Sequence, residues 1–285
     1  MTNEIDDVLI QDDEHTFHFN YGGQKASASK TPNVHAVNNN NCFVLAVDCD
    51  DVLVNITDKW VRKLLVHPII STYFKVKHHD EMRLSNSALT RSNYSLLEWL
   101  EITDKEHASI AYDLYFKDPT FYDDLNPTPF AESLTSAALD KIGELHVVTA
   151  CGYDTTCPAN LSKKKWLAKF LRSIGHNVKT EFKVHMLPYG VAKGKFMHDN
   201  GIKFNTFVDD APYNVIEVAN STPYSNYEIM IPCYGFNQNL TEMREKMTGQ
   251  HNFRIVGFHN MTSISSDGLI EKLKNSTSSE EANVA

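Results

Sequence analysis

Long hydrophobic runs are missing from this chain of 285 residues. The longest apolar run in a candidate strand is Phe43–Val47, whereas a membrane-spanning helix needs roughly 20 such residues, so no span is expected. Met1 to Asp7 lacks both the basic and the apolar regions of a signal peptide, and a cytoplasmic location is expected. The Asn-x-Ser/Thr sequons, the first at Asn55, then reflect an Asn- and Ser/Thr-rich composition. Cysteine is sparse. Cys42, Cys49, Cys151, Cys157 and Cys233 include no Cys-x-x-Cys pair, which argues against a zinc ribbon or a disulfide framework and for reduced thiols. Basic charge is also short: 27 Lys+Arg against 36 Asp+Glu leave a net charge of −9, which counts against long nucleic acid as a partner. No GxxxxGK[ST] phosphate loop and no internal repeat occur.

What remains is a globular composition, 42% hydrophobic and 22% charged. Apolar strand candidates at 43–47, 145–149, 183–187, 206–208, 229–232 and 254–257 alternate with helical patterns. The clearest helix is 163–174, with Trp166, Leu167, Phe170, Leu171 and Ile174 on one side and Gly175 just beyond. This alternation predicts an α/β fold with a doubly wound, mainly parallel, Rossmann-like sheet. From Asn55 to about Asp118 the pattern is helical throughout, too long for an ordinary crossover. Residues 56–118 are therefore expected to form an inserted helical cap over the strand ends, with the core at 42–55 and 119–274. The ends are polar: an extended arm at 1–41, in which His15-Thr16-Phe17-His18-Phe19 alternates like a strand, and a disordered tail at 275–285.

Chemistry concentrates where strands end. Asp48-Cys49-Asp50-Asp51-Val52-Leu53 places three carboxylates in four residues directly after the first apolar strand. Burying them together costs several kcal/mol unless a cation compensates, although a solvated acidic loop is the plainer reading of the segment alone. A second acidic pair, Asp209-Asp210, closes the strand at 206–208. Hard oxygen ligands on two neighbouring strands favour Mg²⁺ over zinc. Thr149 ends another strand, and its hydroxyl can hold phosphate oxygens. Lys193 and Lys195 flank Gly194 at the start of a short helix, whereas Lys163-Lys164-Lys165 has the look of a solvated face. His78-His79, with no partner at ligand spacing, is expected at the surface.

Taken in order, these elements resemble the haloacid dehalogenase-like (HAD) phosphohydrolase superfamily over roughly 43–260. Asp48-Cys49-Asp50-Asp51-Val52-Leu53 is similar to its first motif, Thr149 to the second, a lysine to the third and Asp209-Asp210 to the fourth. Within the superfamily the chain looks most like the 5′(3′)-deoxyribonucleotidases, on its Asp-x-Asp-Asp-Val-Leu start, Asp124-Leu125-Asn126-Pro127-Thr128-Pro129 and Val208-Asp209-Asp210-Ala211-Pro212. Departures are the 1–41 arm, an expanded segment around Lys193, and Asp51 where the family pattern has glycine.

The resemblance implies a HAD core with a C1-type cap and a Mg²⁺-dependent phosphomonoesterase working through an aspartyl-phosphate. Asp48 would be nucleophile and Asp50 general acid and base. Asp48, the backbone carbonyl of Asp50, and Asp209 or Asp210 would hold Mg²⁺, while Thr149 and a lysine would bind phosphate. Lys193 ranks first for that lysine, Lys195 next and Lys163 third. The expected substrate is a small phosphorylated molecule, a (deoxy)nucleoside monophosphate first. The alternatives are a nucleic-acid end phosphatase, a sugar phosphatase, or a binding protein that kept the fold without turnover. Nothing in the sequence excludes a homo-oligomer.

Overall fold

The computed structural model describes residues 10–11, 16–21, 43–72, 91–134, 142–152, 156–175, 181–222, 227–247 and 253–258. The tail at 275–285, most of the 1–41 arm, His78-His79 and the 73–90 part of the insert lie outside them.

Among the described residues, one eight-stranded sheet organises the chain. Its strands are β1 (Ile10–Gln11), β2 (Thr16–Tyr21), β3 (Phe43–Val47), β4 (Ile142–Ala150), β5 (Glu181–Leu187), β6 (Thr206–Val208), β7 (Tyr227–Pro232) and β8 (Phe253–Phe258). They lie in the order β1-β2-β5-β4-β3-β6-β7-β8. Only β1 against β2 is antiparallel; every other pairing is parallel. All six expected core strands form, and the alternation at His15–Phe19 becomes β2, which extends the sheet beside β5.

Parallel strands need long crossovers, and among the described residues helices lie on both faces of the sheet. Alternate residues of a strand face opposite sides, so β3 divides its apolar residues between two cores. Leu45 and Val47 pack with Phe130, Leu134, Trp166, Leu167 and Leu171, from α4 (Pro129–Leu134) and α5 (Pro158–Gly175). Ala46 faces the other way, with Met197, Val215, Val218 and Met243 from α6 (Lys193–Asp199), α7 (Pro212–Ser221) and α8 (Leu240–Glu245). The fold is therefore the expected doubly wound α/β sheet.

After β3 the chain leaves the sheet and returns at one place. Val54 and Pro127 form an antiparallel bridge, and the Thr128 amide donates to the Leu53 carbonyl at 2.8 Å. The excursion between these stems holds α1 (Thr57–Val66), α2 (Leu96–Trp99) and α3 (Lys105–Phe116). It has its own apolar centre of Val61, Leu64, Ile70, Leu96, Leu97, Leu100, Ile102 and Ala111. Trp60 packs against both this centre and the sheet core. Among the described residues no helix is long and apolar enough to cross a membrane.

Candidate active site

The carboxyl ends of β4, β3 and β6 lie side by side, because Val47 is in register with both Val147 and Val208. In an open α/β sheet this is where ligands bind. Just past the ends of β3 and β6 stand Asp48, Asp209 and Asp210, with Thr149 in the last two residues of β4, all buried.

Asp48 follows β3, and its amide donates to the Val208 carbonyl at 2.8 Å, fixing it against β6. Its Oδ1 accepts from the Cys49 amide at 2.7 Å. The chain then coils tightly: the Leu53 amide donates to the Cys49 carbonyl at 2.8 Å, and the Asp51 amide to that of Val54 at 2.7 Å. Asp51 sits at φ +54°, a region that favours glycine, and its carboxylate makes the contacts that hold it there. Oδ1 accepts from the amides of Ile56 and Thr57, at 3.0 and 3.2 Å, and Oδ2 from the Thr57 hydroxyl at 2.5 Å. Asp51 thus ties the turn to the start of α1.

Asp209 and Asp210 follow β6. Asp209 accepts from the Ala211 amide at 2.9 Å and from Asn214 Nδ2 at 3.1 Å. Asn237 Nδ2 donates to the Asp210 carbonyl at 2.7 Å and the Pro232 carbonyl at 2.9 Å, pinning the loop. Asp48, Asp209 and Asp210 can each aim one oxygen so that all three lie within 4.8 Å of one another. Three buried carboxylates so close repel, and their hard oxygens fit a hard divalent cation. Burial pushes the Asp209 carboxyl up to about 6 against the pull of Lys193. Asp210 is pushed well above the carboxylate range by burial, then by Asp51 and Asp209.

Lys193, the first residue of α6, reaches this cluster. Its Nζ lies 2.7 Å from Asp209 Oδ2 and 2.9 Å from Asp48 Oδ1. Burial works against its ammonium, but Asp209 and Asp48 outweigh it and raise its pKa. Lys195 does not join it, which corrects the expectation that either lysine could serve. Two residues further on, a helix has turned by about 200°. Lys195 is accordingly 70% exposed and pairs with Asp199 at 2.6 Å.

The second buried cation is Lys163, expected only third. Its Nζ donates to Asp50 Oδ2 at 2.8 Å, Thr149 Oγ1 at 2.8 Å and the Ala150 carbonyl at 2.9 Å. Asp50 therefore turns its carboxylate away from Asp48, Asp209 and Asp210 and towards Lys163. Of the four expected cation ligands, Asp50 alone sets its side chain outside the cluster, leaving the expected backbone carbonyl as its contribution. Asp50 also accepts from the Tyr122 hydroxyl at 2.8 Å, and Tyr122 and Tyr115 hydroxyls meet at 2.7 Å. The helical period carried a signal for Lys163: it precedes Trp166 and Leu167 by three and four residues, on the buried side of α5. Tyr122 and Arg91, by contrast, had no local signature. Arg91 enters from the insert, 3.0 Å from Asp51 Oδ2 and 3.5 Å from Asp210 Oδ2. Counted formally, five carboxylates (Asp48, Asp50, Asp51, Asp209, Asp210) face three cations (Lys163, Lys193, Arg91), an excess of two negative charges that one divalent ion would balance.

No family model matches the chain, and no curated protein matches it. Solved structures do. A HAD-superfamily hydrolase of subfamily IA, variant 1, from Geobacter sulfurreducens PCA is 13% identical, with 82% of this chain and 99% of that one covered and a TM-score of 0.42. A haloacid dehalogenase-like family hydrolase from Streptococcus pneumoniae is 12% identical, with 79% and 97% covered and a TM-score of 0.43. A phosphoserine phosphatase in apo form is 13% identical, with 82% and 98% covered and a TM-score of 0.36. Likenesses this distant assign no residue a role, and the chemistry rests on the side chains described above.

Proposed function

We propose that the chain is a HAD-like, Mg²⁺-dependent phosphomonoesterase acting on a small phosphate ester, a (deoxy)nucleoside monophosphate first. The observation that carries this reading is the single contact set in which Lys193 bridges Asp48 and Asp209 beside Asp210. Asp48, Asp209 and Asp210, with the Asp50 carbonyl, would hold the cation. Bound there, it would offset the charge that otherwise keeps a phosphate dianion from a carboxylate.

The chain's own groups would do the rest. Asp48, oriented through Oδ1 by Lys193 and the Cys49 amide, attacks phosphorus and forms an aspartyl-phosphate as the P–O bond to the alcohol breaks. Asp50, held by Tyr122 and Lys163, would act as the general acid: it takes up a proton from solvent as the substrate enters and passes it to the leaving alkoxide. As a carboxylate it then takes a proton from the water that attacks phosphorus, which frees Asp48 and releases phosphate. The Thr149 hydroxyl, which accepts from Lys163 and keeps its own O–H to donate, would hold a phosphoryl oxygen, and Lys193 another.

The insert acts in this reading as the cap. Tyr94 from the insert stands edge-on to Tyr213 of α7 with ring centroids 5.3 Å apart, and both are exposed. Tyr112 of α3 is also exposed. These rings support stacking on a nucleobase, worth about 1–3 kcal/mol per base. The test compares a nucleoside monophosphate with a base-free sugar phosphate, each with Mg²⁺ and with excess chelator. The expected result is turnover lost in chelator and a kcat/KM preference of about ten- to one-hundred-fold for the nucleotide. Equal rates on both substrates would remove the base from the proposal. Full turnover in chelator would remove the cation.

A further inference from the structure

Arg91 is the one cation that the insert sends into the site, among the described residues. Its guanidinium is buried, stacked 4.4 Å above the Phe236 ring. Nη1 donates to the Tyr94 carbonyl at 2.6 Å, Nη2 donates to Asp51 at 3.0 Å, and Nε has no hydrogen-bond partner. A buried guanidinium left short of a partner is costly, so its position needs a reason beyond packing.

The two carboxylates it bridges are not equivalent. Asp51 is anchored independently of Arg91, by two amides and the Thr57 hydroxyl. Asp210 Oδ2 faces Arg91 at 3.5 Å and also belongs to the three-carboxylate cluster. Guanidinium and divalent ion would therefore share one carboxylate, and like charges in that proximity repel.

We infer that Arg91 is a positioning residue that couples the seating of the insert to occupancy of the cation site, through its competition for Asp210. This rests on the cation site proposed above. Docked, Arg91 draws Asp210 towards Asp51 and lowers the affinity of the cluster for a divalent ion. An ion at the cluster weakens the Asp210 arm in return and leaves Arg91 with Asp51 as its remaining carboxylate partner. Coupling of this kind is reciprocal by thermodynamic necessity. It gives the insert a way to loosen when the site is charged with its ion and ready for substrate.

The experiment measures Mn²⁺ affinity of the full chain by calorimetry, without substrate, for the natural protein, Arg91→Gln and Arg91→Lys. Arg91→Gln should bind Mn²⁺ at least about tenfold more tightly, since one unit charge acting on a divalent ion across roughly 5 Å has that effect even at a water-like dielectric and more in a buried site. Arg91→Lys, which keeps the charge, should stay near the natural value. General damage to the site would weaken binding, so tightening separates the coupling from a structural defect. Unchanged or weaker binding by a cooperatively melting Arg91→Gln would overturn the inference and leave the phosphatase reading standing. A natural protein that binds no Mn²⁺ would overturn both. Should Arg91→Gln fail to fold, hydrogen exchange of the natural protein decides: amides of 91–100 should exchange faster with Mn²⁺ than without, and equal rates would sink the coupling.

Discussion

Lys163 and Asp50 stand 2.8 Å apart although 113 residues of chain separate them. The same ammonium reaches Thr149, so one buried cation joins the proposed acid–base group to the proposed phosphate-binding hydroxyl. Lys193 makes the equivalent link between Asp48 and Asp209. The site is thus held by two lysines from two helices on opposite faces of the sheet.

Lys163→Met should lower kcat/KM by about ten- to one-hundred-fold, the usual range for losing hydrogen bonds to a charged group. Lys195→Ala should leave it within about twofold, because that side chain points to solvent beside Asp199. Steady-state kinetics on the two variants reads the contrast. A normal rate in Lys163→Met would make that lysine structural only.

Asp48→Asn should abolish turnover with the fold intact, since the amide is isosteric but a poor nucleophile. Asp50→Asn should cost roughly a hundred- to ten-thousand-fold. Tyr122→Phe removes one of the contacts on Asp50 and should cost less than Asp50→Asn while affecting the same step. Rapid-quench detection of phosphoenzyme checks the assignment, and near-normal turnover by Asp48→Asn would exclude covalent attack by Asp48.

Gly194→Ala should destabilise the protein by about 1–3 kcal/mol. A Cβ there would stand 2.7 Å from the Val218 Cα, backbone that cannot step aside, and 3.0 Å from Glu217 Oε2. Pushing α6 off α7 also displaces the adjacent Lys193, so activity should fall with stability. A thermal melt unchanged from the natural protein would refute the close approach.

Cation binding should strengthen as pH rises from 5 to 7. Burial lifts the Asp209 carboxyl to about 6 and raises Asp210 as well, so protons compete with a cation below that range. The sign for the cation-free protein is opposite. A carboxyl whose folded pKa exceeds its unfolded value stabilises the fold while protonated, and this stability is lost as pH rises through about 4 to 6. The Mg²⁺-induced rise in Tm should therefore be larger at pH 7 than at pH 5. An equal rise at both would mean that these carboxylates do not bind the ion.

His185 gives a second pH signature, away from the site. Burial first, then His146 at 3.1 Å, pushes its imidazole down to about 4. A base with a depressed pKa contributes stability that is complete above about 6.5 and is lost as pH falls towards 4. Replacing it with Phe should flatten the loss of Tm between pH 6.5 and 4, and an unchanged acid slope would show that other groups dominate.

Much of this architecture was legible in the order of residues. Strand and helix periods report which side of an element is buried, a local property, and they located all six core strands and, at 163–174, most of the long helix found at 158–175. The strand-end carboxylates and Thr149 were legible for the same reason, because parallel strands bring their carboxyl ends to one edge whatever the loops do. Lys193 followed from its place at the first turn of a short helix. The run Lys163-Lys164-Lys165 has the look of a solvated face, yet Lys163 is buried, as its spacing from Trp166 and Leu167 implies.

Other features belong to the tertiary structure alone. Asp51 stands where glycine was expected, and only the folded turn shows a carboxylate holding a left-handed residue in place through Ile56, Thr57 and Arg91. Tyr122 reaches Asp50, and Arg91 reaches Asp210, across 72 and 119 residues, distances over which no period or spacing rule operates. The sequence determined which chemical groups sit at the strand ends, because that depends on local pattern and a single sheet geometry. Which cation faces which carboxylate depends on how helices from two faces and an insert pack together, and that is settled by the summed fit of the three apolar cores.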